Sequence, residues 1–125
     1  MTTDVLIIGG GVIGLSIARE LALDHSVSLI ERGRCGQEAS SAAAGMLGAQ
    51  AEAYGDDAFF RLCVDSREMF PELAASLLEE TGIDVGLDRA GTLLLSFSEA
   101  DISARRERFA WQMAAGFVTE LLSAA

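Results

Sequence analysis

Several residue types are scarce or missing in this chain of 125 residues. It contains neither lysine nor asparagine, and it has one histidine, one proline and two cysteines. Cys35 and Cys63 lie far from any recognisable motif, so they predict neither a disulfide framework nor a metal site. His25 falls in an expected surface turn and is a poor catalytic candidate. We therefore expect no metal ligands and no catalytic side chain within this sequence.

Basic residues and long apolar runs are also scarce. Nine arginines against nineteen acidic residues give a net charge of −10, which argues against nucleic acid or an anionic membrane surface as a partner. No apolar run is long enough to cross a bilayer. The first residues lack the positive charge of a secretory signal. These features predict a cytoplasmic protein without membrane contact, and a hydrophobic content of 50% is enough to build a core.

Glycine, by contrast, is abundant near the N-terminus, where it follows a short β-branched run. Residues Val5–Ile8 are typical of a parallel strand buried on both faces. They precede Gly9, Gly11 and Gly14, which have the spacing G-x-G-x-x-G. Gly9 permits a tight turn, Gly11 lets the backbone approach phosphates, and Gly14 lets a helix lie close to the strand. This context predicts a β-α-β unit whose helix N-terminus binds the pyrophosphate of a dinucleotide.

An acidic residue completes this motif. We expect the helix after the glycines to continue to about Leu23 and a second strand to span Val27–Ile30. Glu31 follows that strand, 17 residues beyond Gly14. A carboxylate at this position accepts hydrogen bonds from ribose hydroxyls and repels a 2′-phosphate. Glu31 therefore favours FAD or NAD over NADP.

The segment after Glu31 is dominated by alanine, glycine and serine between residues 36 and 49. Two interpretations fit this composition equally well. In the first, the segment is a loop whose N–H groups and whose Ser40 and Ser41 hydroxyls contact phosphate or flavin atoms. In the second, it is an alanine-rich helix packed in a core. These residues alone leave the choice open.

A long helix is predicted over residues 56–80, where apolar residues recur at three- and four-residue spacing. Asp56 or Asp57 supplies the N-cap chemistry, and Gly82 lies where a C-terminal cap belongs. Pro71 interrupts the pattern and predicts either a kink or two shorter helices.

A hairpin and another helix are predicted after Gly82. Residues 83–87 and 92–97 have the composition of two strands joined by a turn, and residues 99–114 return to helical spacing. Inward positions of this helix are expected at Ile102, Phe109 and Met113, and a mostly solvated face is expected at Arg105, Arg106 and Arg108.

Two segments resemble known proteins. Residues 4–22 together with Glu31 are similar to the N-terminal signature of flavoproteins with two dinucleotide-binding motifs. Residues 36–49 contain the string Ala-Ala-Ala-Gly-Met-Leu-Gly-Ala and resemble the glycine oxidases, the thiamine-pathway branch of the D-amino-acid oxidase family. The similarity extends through five further short stretches, at residues 57–60, 66–67, 81–84, 91–93 and 96–101.

The resemblance implies an α/β fold. Residues 1–82 would form the N-terminal part of a Rossmann-like FAD-binding domain, and residues 83–125 would begin an α+β substrate domain. The resemblance also favours the loop interpretation of residues 36–49, and hence FAD as the cofactor.

The resemblance further implies a row of contacts along FAD towards the substrate. Small residues at the substrate end would leave room for a small amino acid. Val12 and Ile13 would contact the pyrophosphate, and Glu31 and Arg32 would contact the adenosine ribose. Ala39 and Ser40 would contact the diphosphate and ribityl region, and Ala44, Gly45 and Met46 would line the flavin ring. Gly48 and Ala51 would lie on the substrate side.

The activity implied is oxidative deamination of glycine, or of a related small amine or D-amino acid, with O₂ as the acceptor and a link to thiamine biosynthesis. Family members continue well beyond residue 125 and form homo-oligomers, so we expect this chain to hold only the N-terminal FAD-binding part. One alternative is a flavin-dependent D-amino-acid dehydrogenase that passes electrons to a quinone. Another is an inactive, truncated dinucleotide-binding module.

Overall fold

The computed structural model describes residues 2–122, and the chain divides into two compact units. The first unit spans Met1–Met46 and the second spans Leu47–Ala125. The predicted change of domain after residue 82 refers to a complete oxidase and stays a prediction. Among residues 2–122, no helix has the length and apolar character required to span a membrane.

The first unit is built on two parallel strands, β1 (Val5–Ile8) and β2 (Val27–Ile30), joined through helix α1 (Val12–Leu21). Their register aligns Val5 with Val27 and Ile8 with Ile30. A parallel pair requires a crossover connection, which α1 provides. This order confirms the predicted β-α-β unit. Helix α1 ends before the expected Leu23, because the amides of residues 23–25 bond back to Glu20 and Leu21 in a closing turn.

The sheet of this unit is covered on one side only. Ile7 lies towards α1, where its Cγ2 approaches Gly14. Leu6, Ile8 and Ile30 are 57%, 83% and 56% exposed. The prediction that β1 is buried on both faces is therefore wrong for the described residues. The physical reason is that α1 packs on only one face of a two-stranded sheet.

The alanine-rich segment forms a single helical turn, α2 (Ala39–Ala42), within an otherwise irregular stretch. Residues 41–46 are exposed to solvent. The structure thus excludes the interpretation of a helix packed in a core. It agrees with a loop, and the contacts of this loop with phosphate or flavin atoms stay a prediction.

The second unit contains α3 (Ala49–Glu52), α4 (Ala58–Thr81) and α5 (Glu99–Ala114). Asp57 caps α4, since its Oδ1 accepts a hydrogen bond of 2.7 Å from the amide of Phe60. Gly82 ends the same helix with a φ of 70°, as a left-handed C-terminal residue. Pro71 lies inside α4, which continues through it, so the predicted alternative of two shorter helices is wrong. Proline removes one amide donor, and the turns on either side keep their own bonds.

Aromatic side chains form the centre of the second unit. Phe60 is 3% exposed and meets the rings of Trp111 and Phe117 edge-on at centroid distances of 5.3 and 5.0 Å. Helix α5 has the predicted bounds, but Met113 is 50% exposed, so its predicted inward position is wrong. Trp111 and the buried Gln112 face inward at this end of the helix instead.

The segment between α4 and α5 contains no strand within the described residues, so the predicted hairpin is wrong. Local side-chain bonds hold the backbone in turns instead. The carboxylates of Asp84 and Asp88 each accept a hydrogen bond of 2.8 Å from the amide two residues later, at Gly86 and Ala90. Such bonds compete with strand pairing.

Candidate dinucleotide-binding site

The glycine turn between β1 and α1 depends on two different steric requirements. Gly9 has a φ of 109°, a conformation that favours glycine over every residue with a side chain. Its amide donates to the carbonyl of Ile30 at 2.8 Å and so extends the strand pairing by one bond. Gly14 is required for a close approach, since a Cβ at this position would lie 2.1 Å from the Gly9 carbonyl oxygen. The glycine turn after β1 and the first helical turn of α1 are therefore packed directly against each other.

Gly11 lies where α1 begins and lines an open hollow of about 370 Å³. A Cβ on Gly11 would meet only Ser40 Oγ, at 3.3 Å. The missing side chain thus leaves the helix start accessible to a bulky anion. The hollow is lined by Ile7, Ile8, Gly9, Gly11, Val12, Ile13, Gly14, Ile17 and Ser40.

Ser40 is brought to this helix start from 28 residues away. The amide of Val12 donates to Ser40 Oγ at 2.9 Å. Gly11, the N-cap residue, has no side chain, so it caps none of the first-turn amides itself. A serine hydroxyl that accepts one bond retains its own proton for donation to a phosphate oxygen. The structure therefore places Ser40 beside Gly11 and Val12, and the first turn of α1 together with this hydroxyl fits a pyrophosphate.

Glu31 clamps the glycine turn through its carboxylate. Oε2 accepts a hydrogen bond of 2.7 Å from the amide of Gly10, and Oε1 accepts one of 2.9 Å from the amide of Gly33. These two bonds, the Gly10 bond foremost, hold the pKa of the Glu31 carboxyl below its ordinary value. Each carboxylate oxygen keeps a further acceptor site for a ribose hydroxyl. The carboxylate is thus charged and oriented before any ligand binds.

Gly10 is a site residue that the sequence interpretation missed. It is buried, and a Cβ on it would lie 2.8 Å from Cys35 Sγ and 3.1 Å from Glu31 Cβ. Its carbonyl also accepts a hydrogen bond of 2.8 Å from the amide of Gly36. The run of three consecutive glycines was the available signal, because the motif itself requires glycine only at the first and third of them.

The other predicted cofactor residues lie on the exposed stretch that follows β2. Arg32 is 82% exposed and pairs with Glu38 at 3.1 Å, and Ala39 begins α2. Gly45 has a φ of 72° and Met46 is 69% exposed, with Ala44 exposed beside them. Their contacts with FAD stay predictions.

The two predicted substrate residues belong to the second unit. Gly48 is the N-cap of α3, and Ala51 lies within that helix. A Cβ on Gly48 would meet the flexible Glu52 carboxylate at 3.1 Å. Both positions are partly buried and small. Their role on the substrate side stays a prediction.

These features define a class of protein. A parallel β-α-β unit, a glycine turn that opens the start of a helix, and an oriented carboxylate after the second strand characterise Rossmann-type dinucleotide-binding proteins. The profile of one such group, described as FAD dependent oxidoreductase, matches residues 4–125. The chain belongs to this FAD-dependent oxidoreductase family, and its cofactor is FAD rather than NAD.

Individual relatives agree with this assignment. The chain is 48% identical over 99 residues to the glycine oxidase of Geobacillus kaustophilus. This match covers 78% of this chain and 26% of that protein. It is 39% identical over 105 residues to the glycine oxidase of Bacillus subtilis, covering 83% and 28%. It is also 43% identical over 93 residues to the bifunctional protein ThiO/ThiG of Trichormus variabilis, covering 74% and 14%.

A solved structure shows the same fold. The crystal structure of glycine oxidase from Geobacillus kaustophilus matches with a TM-score of 0.88 and 43% identity. The match covers 91% of this chain and 31% of that one. The chain thus spans about a quarter of the length of the glycine oxidases it matches in sequence.

Proposed function

We propose that this chain is the N-terminal, FAD-binding part of an oxidase that deaminates glycine or a related small amine with O₂ as the electron acceptor. The hydrogen bond between the Val12 amide and Ser40 Oγ carries the proposal. It joins the glycine turn, which many dinucleotide-binding proteins share, to residues 36–49, whose sequence resembles that of glycine oxidases. The proposal extends to a role linked to thiamine biosynthesis, a cytoplasmic location and a homo-oligomeric assembly.

The proposal gives three tasks to this chain, two to the first unit and one to Gly48 and Ala51 of the second unit. The amides at the start of α1 and the Ser40 hydroxyl bind and orient the diphosphate. Glu31 accepts hydrogen bonds from the adenosine ribose hydroxyls. Gly48 and Ala51 keep the substrate side free of bulk, so that only a small amine is accommodated. Bound FAD supplies the redox chemistry, namely removal of a hydride from the amine and delivery of the electrons to O₂.

The binding half of the proposal is tested by titrating the purified chain with FAD, and in parallel with NAD. Gly11→Val should abolish FAD binding, because the branched side chain fills the phosphate position. Glu31→Ala should weaken binding roughly ten- to hundredfold, the scale of a lost hydrogen bond to a charged group. Gly55→Val is the matched control, since a Cβ at Gly55 meets nothing within 4 Å. Equal FAD affinity in all four proteins contradicts the proposed site.

The catalytic half is tested in a chimera that joins this chain to the remaining part of the Geobacillus kaustophilus glycine oxidase. Oxygen consumption and peroxide formation with glycine are the expected results. Amine oxidation with a quinone as acceptor and without peroxide indicates a dehydrogenase instead. A chimera that binds FAD but turns over no small amine contradicts the proposed activity.

A further inference from the structure

Helix α3, which contains Ala51 and follows Gly48, is too short to hold its own shape. It comprises four residues, and one backbone bond, from the Glu52 amide to the Gly48 carbonyl at 3.0 Å, closes its turn. Helical turns of this length are not stable in isolation, because nucleation fixes several torsions for each bond gained. Contacts from elsewhere in the second unit must therefore determine where this turn lies.

Two side chains of α5 supply such contacts. Arg108 and Gln112 are four residues apart, so they lie on the same face of the helix. The Gln112 amide Nε2 donates to the Gln50 carbonyl at 2.8 Å, and the Arg108 guanidinium donates to the Ala51 carbonyl. These are carbonyls that a one-turn helix leaves without intrahelical partners. Gln112 and Arg108 thus hold two consecutive peptide groups of α3, one each.

The two donors are themselves well anchored. Gln112 is 3% exposed, the one polar residue in the described chain that is buried to this degree. The Arg108 guanidinium lies over the Tyr54 ring at 5.4 Å from its centroid. This partial burial corrects the expectation that Arg108 belongs to a solvated face. Between them, Trp111 packs edge-on against Phe60 in the core, which fixes the rotation of α5.

The side chain of Gln50 adds a second line of attachment. Its Oε1 accepts a hydrogen bond of 2.8 Å from Arg67 of α4, and its Nε2 donates to the Val118 carbonyl at 3.2 Å. The turn is therefore tied to α4, to α5 and to the segment after α5. Several side chains together thus set the position of the backbone at Gln50 and Ala51.

We propose that Arg108 and Gln112 are positioning residues that hold the α3 turn, and with it Gly48 and Ala51, in the position that admits a small amine and excludes larger ones. The inference rests on the proposed function, which puts those two residues on the substrate side. Small side chains create room only where the backbone that carries them is fixed. The carbonyl of Ala51 is itself the acceptor for Arg108. Loss of this bond therefore displaces Ala51, one of the two residues that leave space for the substrate.

Hydrogen exchange on the 125-residue chain tests the positioning step directly. Gln112→Met preserves side-chain length without the donor, and Arg108→Met keeps an unbranched apolar stem without the guanidinium. In either variant the Glu52 amide should exchange about five- to tenfold faster, as expected for loss of one net hydrogen bond. Arg106→Met, at an exposed neighbouring position, is the control. Arg108→Lys keeps a donor and should restore most of the protection, which also decides the matter if a methionine variant fails to fold. Unchanged exchange of the Glu52 amide overturns the inference.

Kinetics of the chimera test the link to the substrate. With Arg108→Met or Gln112→Met, the KM for glycine should rise several-fold and the preference for glycine over D-alanine should fall, with a smaller change in kcat. Faster exchange with an unchanged preference overturns the specificity role. A wild-type chimera that oxidises no amine contradicts the proposed function instead, and the exchange measurement still decides whether Arg108 and Gln112 position the turn.

Discussion

Replacing Gly14 or Gly11 of the same motif by alanine should impair different properties, stability in the first case and cofactor binding in the second. A Cβ on Gly14 would lie 2.1 Å from the Gly9 carbonyl oxygen, a backbone atom that cannot rotate away. A Cβ on Gly11 would lie 3.3 Å from Ser40 Oγ, which a small rotation of the serine relieves. We therefore expect Gly14→Ala to destabilise the fold and Gly11→Ala to leave the fold intact while obstructing the cofactor.

The magnitude follows from these distances. The contact at Gly14 is almost 1 Å inside the 3.0 Å limit that real Cβ atoms respect, so α1 must move away from the glycine turn. Overpacking of this kind costs about 1–3 kcal/mol. Alanine regains up to about 1 kcal/mol through its higher helix propensity, less at a position so close to the helix start. A net loss of about 1–2 kcal/mol is expected for Gly14→Ala, and a change within about 0.5 kcal/mol for Gly11→Ala.

Urea unfolding followed by far-UV circular dichroism measures the first effect, and an FAD titration measures the second. Gly14→Ala should lower the urea midpoint at an unchanged slope. Gly11→Ala should unfold with the wild type and bind FAD more weakly, since its Cβ projects towards the hollow that receives the diphosphate. A Gly14→Ala protein as stable as the wild type would refute the steric argument, as would an equal destabilisation by both substitutions.

Substitutions at Asp57 and Glu31 test the capping and clamping contacts, with Asp56→Ala as the control for the cap. Asp57→Ala should lower the free energy of unfolding by about 1 kcal/mol through loss of the N-cap of α4, whereas Asp56→Ala, which removes an exposed ion pair with Arg61, should change the same urea midpoint little. The pKa of Glu31 is lowered in the folded chain, so its contribution to stability is complete above the ordinary carboxyl pKa of 4.5 and is lost as the pH falls through the lower folded value. Acid titration of Glu31→Gln should therefore show a shallower stability loss below about pH 4.5 than the wild type, and identical curves would show that the clamp contributes nothing.

The first unit could be predicted from sequence because its signals are local. A β-branched run defines β1, glycine spacing defines the turn, and apolar residues three and four apart define α1. The caps of α4 were equally readable, since Asp57 and Gly82 act on their immediate neighbours. The hairpin after α4 was not, because a strand needs a partner and its composition alone does not supply one. There, Asp84 and Asp88 bond to nearby amides and hold the backbone in turns.

The candidate site shows the same division. Gly9, Gly11, Gly14 and Glu31 follow from spacing, but the contact of Ser40 with Val12 joins residues 28 positions apart. No periodicity encodes such a contact. Composition indicated Ser40 in only one of two open interpretations of residues 36–49, and resemblance to a family decided between them. The attachment of α3 to Arg108 and Gln112 spans 57 and 62 positions and involves polar side chains on a helix that pattern analysis interprets by its apolar face.

The clamp on Gly10 limits how the cofactor preference of this chain can be re-engineered or can drift in evolution. Accepting a phosphorylated ribose requires removal of the negative charge at Glu31. The same carboxylate accepts hydrogen bonds from the amides of Gly10 and Gly33. Replacing Glu31 by a small or basic residue therefore leaves both amides without this acceptor. A switch of preference therefore needs a compensating acceptor nearby, and it cannot be reached by one substitution without loosening the turn that binds the diphosphate.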